Sequence, residues 1–228
     1  MATLHLVRHG QASFGSANYD SLSPLGTRQC ELLGEWWLAR HWKAENIVTG
    51  PMVRHLQSLE FFQRGLREET PHEVLPGLAE FDHENVLRVY RPEFADMGEI
   101  AKFLASSPNP RKAFQQIFTE AVERWHDGRY DHEYNEPWRV FKQRVLDAFL
   151  TLRASGRDAV IFTSGGVISV IMQEVLGISD GKSFSLNAVI ANSSVTRILF
   201  SGHEASLSTF NNTAHLDIHD VRELITYR

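Results

Sequence analysis

The sequence predicts an α/β fold: a three-layer sandwich with a mostly parallel central sheet, helices on both faces and a helical cap insertion. Three observations carry that reading. Short apolar runs alternate with longer patterns of helical period, which marks strands alternating with crossover helices. The chain has 228 residues, 43% of them hydrophobic, enough to bury one full core. Finally, "LVRHG", "IVTGPMVR" and "VIFTSGGV" each run from an apolar strand through a polar or glycine-containing turn into a helix or long loop. Residues 1–228 therefore read as a single domain, with an insertion at about residues 84–137.

The elements follow in order. "TLHLV" is the first strand. Ser23 is placed to cap a helix, Pro24 suits its first turn, and Leu25, Leu32 and Trp36 mark its apolar face to about Arg40. "NIVT" is the second strand, a helix is expected from Met52 to Gln63, and "HEVL" before Pro76 reads as a short edge strand. Phe114, Ile117, Phe118, Ala121, Val122 and Trp125 form one helical stripe, and Trp138, Phe141, Val145, Phe149 and Leu152 another. Both stripes read as core. "DAVIFT" is a buried strand, "GGVISVIMQEVLG" a helix closed by Gly177, and "SVTRILF" and "EASLSTF" two strands joined through Ser201 to Glu204. The 84–137 segment is mostly helical and polar at its centre, "HDGRYDHEYNE"; such insertions commonly cover a site.

Composition excludes several classes of partner. Acidic residues outnumber basic ones, 28 to 23, with no long basic run, so neither nucleic acid nor an anionic membrane is an expected partner. The single cysteine, Cys30, cannot form an internal disulfide, and Met1 is followed by strand-like residues rather than a leader, which points to a reducing cytoplasm. The longest apolar stretch, "AVIFTSGGVISVIM", is interrupted by glycines and hydroxyl residues and falls short of the roughly 20 residues that span a bilayer. Trp36, Trp37 and Trp42 are candidates for a homodimer interface, although packing a helix on the sheet is their simpler use.

The three strand-to-turn junctions bear the chemistry. In a parallel sheet the carboxyl ends of the strands share one edge, where Arg8, His9, Arg54 and Ser164 would converge. Arg8 and Arg54 offer rigid donor forks for phosphate oxygens, His9 a nitrogen nucleophile, and Gly165, at the start of a helix, unpaired N–H groups in a field that favours anions. Gly10 is expected to leave room for that approach. A leaving alkoxide needs a proton, for which Glu80 in "PGLAEFDH" is the candidate acid and Asp82 the reserve. Gln11, Ser13 and Asn18 are further candidates to line the pocket, with satisfaction of loop backbone as the competing use. His215 and His219, four residues apart, read as a terminal loop rather than a metal site, since no HExxH pattern accompanies them.

On these residues the chain resembles the histidine phosphatase superfamily, the phosphoglycerate mutase-like fold. "LVRHGQAS" is similar to its RHG motif, "YDSLSPLGTRQ" to the stretch entering its first helix, "TGPMVRHLQSLE" to the segment with its second arginine, "LAEFDH" to its acidic motif, and "FTSGGVIS" and "NNTAHL" to its later motifs. The resemblance implies a phosphohistidine on His9, phosphate binding by Arg8 and Arg54, proton donation from Glu80, a small phosphorylated substrate, and no metal or other cofactor. One position departs from the pattern. Where the family usually carries a histidine before the two glycines, this chain has Ser164, which brings a hydroxyl but no positive charge. Ser164 is then either a phosphate ligand or the cap of the helix behind it. His83 and His215 are the candidates to replace the missing imidazole. The expected activity is phosphomonoester hydrolysis; the alternatives are a mutase-type phosphoryl transferase and a phosphate-binding protein weakened by Ser164.

Overall fold

A computed structural model of the chain describes residues 1–13, 20–43, 46–202, 204–219 and 221–227. Six strands form one sheet in the order β3-β2-β4-β1-β5-β6, namely β1 (Ala2–Arg8), β2 (Ile47–Thr49), β3 (His72–Val74), β4 (Ala159–Thr163), β5 (Val195–Ser201) and β6 (Glu204–Asn212). β3, β2, β4 and β1 pair in parallel, whereas β5 is antiparallel to both β1 and β6. Only β5 is reversed, so the sheet is mostly parallel.

The chain divides into two compact units, residues 1–80 with 144–228, and residues 81–143. In the first, side-chain alternation along the strands fixes two buried faces. Val7, Ile47, Val160 and Phe162 point to one face, where they meet Leu33 and Trp37 of α1 (Pro24–Leu38) and Leu59, Phe62 and Leu66 of α2 (Val53–Leu66). Leu4, Leu6 and Ile161 point to the other and are fully buried. Helix α7 (Gly165–Leu176) packs against β1 and β6, is buried from Gly165 to Gln173, and ends at Gly177 in the left-handed region, φ +63°. Strand β3 is the exposed edge.

Ser23 caps α1 by accepting from the Gly26 N–H, with Pro24 in the first turn. The helix stripe sits differently from the Leu25, Leu32, Trp36 spacing. Leu33 and Trp37 face the sheet with Trp36 at the margin, while Leu32 and Leu25 pack on Leu216, Leu224 and Ile225 near the C-terminus. The helix is thus apolar on two faces, and a single-stripe reading merges them. Two short helices, α8 (Asp180–Asn187) and α9 (Ala214–Asp217), carry too little periodicity to be read from sequence.

Helices α1 and α2 cross at glycines. A Cβ on Gly34 would lie 2.1 Å from the Phe62 carbonyl oxygen, and one on Gly65 2.1 Å from that of Glu31. Gly34→Ala is therefore expected to cost about 1–3 kcal/mol through overpacking, seen as a lower Tm by about 2–4 °C per kcal/mol at this size. An unchanged melting midpoint would contradict the backbone contact.

The second unit, residues 81–143, contains α3 (His83–Tyr90), α4 (Met97–Ser106), α5 (Pro110–Asp127) and the first turns of α6 (Trp138–Ala154). Its core is an aromatic cluster. Trp125 stacks on Phe81 at 4.8 Å and meets Trp138 at 5.2 Å and Phe141 at 5.7 Å, and its indole N–H donates to the Glu136 carbonyl (2.8 Å). Phe81, Trp138 and Phe141 belong to this cluster, so the unit extends beyond residues 84–137 at both ends. No described helix is long and apolar enough to cross a membrane.

Candidate active site

The site forms where β1 and β4 end side by side. Arg8 pairs with Thr163, and the His9 N–H donates to the Thr163 carbonyl (2.8 Å), so the next residues on the two strands, His9 and Ser164, become neighbours. The His9 carbonyl accepts from Asn192 Nδ2 (3.1 Å) and from the Ser193 N–H (3.2 Å), which fixes the turn after β1.

His9 is 6% exposed. Its Nδ1 lies 2.7 Å from the carbonyl oxygen of Gly10, which can only accept, so Nδ1 carries the proton and Nε2 keeps its lone pair. Burial, then the charges of Arg54 and Arg8 and the nearby His55, hold its pKa well below the usual 6.5, against an upward pull from the bond to Gly10. The imidazole is therefore neutral near pH 7, with one ring nitrogen available for attack.

Both arginines are buried and held. Arg8 donates through one terminal nitrogen to the carbonyls of Ile190 and Tyr227, the latter at 3.2 Å. Arg54 is the second residue of α2. Asp20 binds it at 2.6 Å and accepts from the Val53 N–H at 2.8 Å, so one carboxylate caps the helix and aims the guanidinium. Arg54 Nε is buried and has no hydrogen-bond partner among the described residues. Gly165 opens α7 close to Arg8: a Cβ there would sit 3.6 Å from Arg8 Nε and 2.1 Å from Asn187 Oδ1. Only glycine fits.

Glu80 reaches the same helix start, its Oε2 accepting from the Gly166 N–H at 3.0 Å. The segment delivering it is anchored twice. Thr163 Oγ1 donates to the Leu78 carbonyl (2.8 Å), and Arg144 donates to the carbonyls of Gly77 (3.0 Å) and Ala79 (2.9 Å). Asp82 caps α3 instead, accepting from the Asn85 N–H.

Several expectations change. Ser164 sits at the N-cap position of α7, but its side chain makes no capping bond; its Oγ lies 2.6 Å from His55 Nε2. The imidazole that reaches Ser164 is therefore that of His55, which sequence reasoning missed. His215 is buried against Ser193, its Nε2 2.8 Å from Ser193 Oγ, with its pKa pushed down to about 3 by burial and by His219. His83 begins α3 in the 81–143 unit, where its N–H donates to the Phe81 carbonyl. Gln11 and Ser13 serve the loop: Gln11 Oε1 accepts from Ser23 Oγ (2.8 Å) and Ser13 Oγ donates to the Leu22 carbonyl (3.0 Å). Asn18 lies outside the described residues. The space at Gly10 is taken by protein rather than left open, since a Cβ there would be 2.3 Å from the Gly26 carbonyl oxygen. Asp20 was also missed. A signal for His55 existed: with Leu59, Phe62 and Leu66 it follows the buried face of α2, where a buried polar residue calls for a partner.

Sequence comparison decides the family. The model of the histidine phosphatase superfamily, branch 1, matches residues 4–112 and 108–213. The chain belongs to the histidine phosphatase superfamily. No curated protein matches it in sequence. Among solved structures, this superfamily member is similar to a mutant phosphoserine phosphatase from Entamoeba histolytica in complex with phosphoserine (TM-score 0.63, 15% identity, 95% of this chain and 100% of that one). It is similar to the alpha-ribazole phosphatase of Shigella flexneri (0.63, 17%, 93% and 97%) and to a mycobacterial glucosyl-3-phosphoglycerate phosphatase (0.63, 18%, 94% and 100%). At such identities the likeness concerns the fold.

Proposed function

We propose that the protein hydrolyses phosphomonoesters of small metabolites through a phosphohistidine on His9. The observation that carries this reading is a neutral imidazole with Nδ1 committed to Gly10, beside two buried guanidiniums. Membership of the superfamily and the phosphatases among its fold neighbours support it.

In the first step Arg8, Arg54 and the Gly165 N–H at the start of α7 hold the phosphoryl oxygens, and His9 Nε2 attacks phosphorus in line with the leaving oxygen. The P–N bond forms as the P–O bond to the alcohol breaks, and Glu80, in its acid form, protonates the departing alkoxide. In the second step the Glu80 carboxylate takes a proton from water, the oxygen attacks the phosphohistidine, and inorganic phosphate leaves with His9 restored. The arginines neutralise charge on the equatorial oxygens in both steps.

The test is a trapping experiment. Incubation with a panel of phosphorus-labelled phosphomonoesters, quenched in denaturant, is expected to leave an acid-labile, base-stable label on His9, with free phosphate accumulating. Return of the label as an isomeric ester would instead identify a transferase. Saturable phosphate binding with neither label nor turnover across the panel would overturn the hydrolase reading.

A further inference from the structure

We propose that a second cavity, between the C-terminal end of α1 and strands β1, β5 and β6, binds a planar aromatic carboxylate, with tryptophan rings holding the aromatic plane and Arg40 and Arg197 the carboxylate. The inference does not depend on ester hydrolysis at His9.

The cavity follows from the way the sheet is covered. His5, Arg197 and Thr209 lie in register across β1, β5 and β6, so their side chains form one row on the face of the sheet that carries Val7. Helix α1 covers only part of that row and leaves a space of about 180 Å³, with Trp36 and Trp37 on one side and His215 of α9 on the other. The chain then turns back to close the rim. His41 takes the left-handed region, φ +55°, and the Trp42 N–H donates to the Trp37 carbonyl (3.1 Å), an arrangement that glycine usually provides. That turn sets the Trp42 ring 5.3 Å from Trp37 and 6.1 Å from His5, with Trp42 still 42% exposed.

The lining is more than a cover for the sheet. Aliphatic residues would shield this face without the desolvation penalty of polar groups, yet the floor holds His5 and Arg197. Burial and the charge of Arg197 keep His5 neutral, with its pKa lowered to about 4 against an upward pull from Asp158. Arg197 is held by its Nε, which donates to Ser208 Oγ on β6 (3.1 Å). Arg40 is held by stacking, its guanidinium carbon 3.1 Å from the centre of the Trp36 ring, and by a bond to the Trp36 carbonyl (3.4 Å). Each guanidinium therefore keeps further N–H groups for a ligand. Among the described residues neither arginine pairs with a carboxylate, and no carboxylate lines the cavity. The occupant is selected three times over: aromatic faces take a flat ring, two unpaired cations take an anion, and the volume sets the size. A cavity of about 150 Å³ admits benzene, so this one takes one ring or a small bicycle with a short acidic group.

The test is calorimetric titration of the full chain with 2-naphthoate, with 2-naphthamide as the uncharged control and cyclohexanecarboxylate as the non-planar one, each with and without saturating orthovanadate to fill the phosphoryl site. Saturable naphthoate binding is expected, at least tenfold tighter than either control and unchanged by orthovanadate. Arg40→Gln and Arg197→Gln should each weaken it by about tenfold to hundredfold, and Trp42→Ala by about threefold to tenfold. Arg40 and Trp42 are exposed, so those two variants keep the fold and carry the test if Arg197→Gln melts below the assay temperature. Equal binding of the amide or of the cyclohexane acid, affinity that survives both arginine substitutions, or displacement by orthovanadate would overturn the proposal. Absence of saturable naphthoate binding would overturn it too; if the chain then self-associated in sedimentation and Trp42→Ala abolished that association, the face would be a subunit interface instead. None of these outcomes touches the trapping experiment on His9, so the two readings fail separately.

Discussion

His9→Ala is expected to lower turnover by on the order of 10⁴ to 10⁶, the loss that follows when a nucleophile acting as one unit with its supports is removed. His9 is nearly buried, but its replacement leaves intact the strand pairing that shapes the turn, because those bonds involve the backbone: His9 N–H to Thr163, and its carbonyl to Asn192 and Ser193. The variant should therefore fold, melt close to wild type and still bind orthovanadate through Arg8 and Arg54. Retained binding with lost turnover is the signature of a missing nucleophile. Turnover within tenfold of wild type would mean that the ester is attacked by something else.

The same residue sets the acid limb of the pH profile. A histidine attacks only when neutral, so kcat/KM should fall as pH drops through the folded pKa of His9. That pKa lies well below 6.5, because burial and two guanidiniums disfavour the imidazolium. The sign follows directly. At pH 6 an exposed histidine would already be mostly protonated, whereas His9 stays neutral, so no loss ascribable to its protonation is expected near 6.5. The buried neutral histidines also make folding pH-dependent. His5 and His215, held near pKa values of about 4 and about 3, take up protons in the unfolded chain before they do so in the folded one. Stability therefore declines as pH falls below 6.5.

The sheet and the principal helices were legible because their signals are local. Within "DAVIFT" four consecutive residues, Ala159 to Phe162, are apolar since β4 is buried on both faces between β2 and β1, and Ser23-Pro24 carries its cap chemistry in two residues. His9, Arg8, Arg54 and Ser164 were legible because parallel strands deliver their carboxyl ends to one edge. Asp20 and His55 were harder, since each matters through a partner 34 or 109 residues away in sequence. A carboxylate in a turn and a histidine on a helix look ordinary until the fold brings Arg54 and Ser164 to them. Gly10 shows the same limit from the other side. Sequence suggests room for an approaching ligand there, while the packing of α1 shows that the space is filled by the Gly26 carbonyl.

Arg54→Ala is expected to reduce turnover by about 10² to 10³, the effect of removing one preorganised donor from developing charge, with Arg54→Lys recovering only part of it. The guanidinium presents a planar fork already aimed by Asp20, and a lysine ammonium keeps the charge but not the paired donors. Stability provides the control. Asp20 is partly exposed and keeps its bond to the Val53 N–H after the arginine is gone, so the stranded carboxylate can be solvated and the helix start remains capped. The loss should therefore appear mainly in kcat and only modestly in Tm. Asp20→Asn offers a complementary reading: it retains a capping oxygen but removes the charge that orients Arg54, and should give a smaller loss of turnover than Arg54→Ala. If Arg54→Ala kept wild-type activity, the second guanidinium would be a structural partner of Asp20 alone, and the phosphoryl group would have to be held by Arg8 and the start of α7.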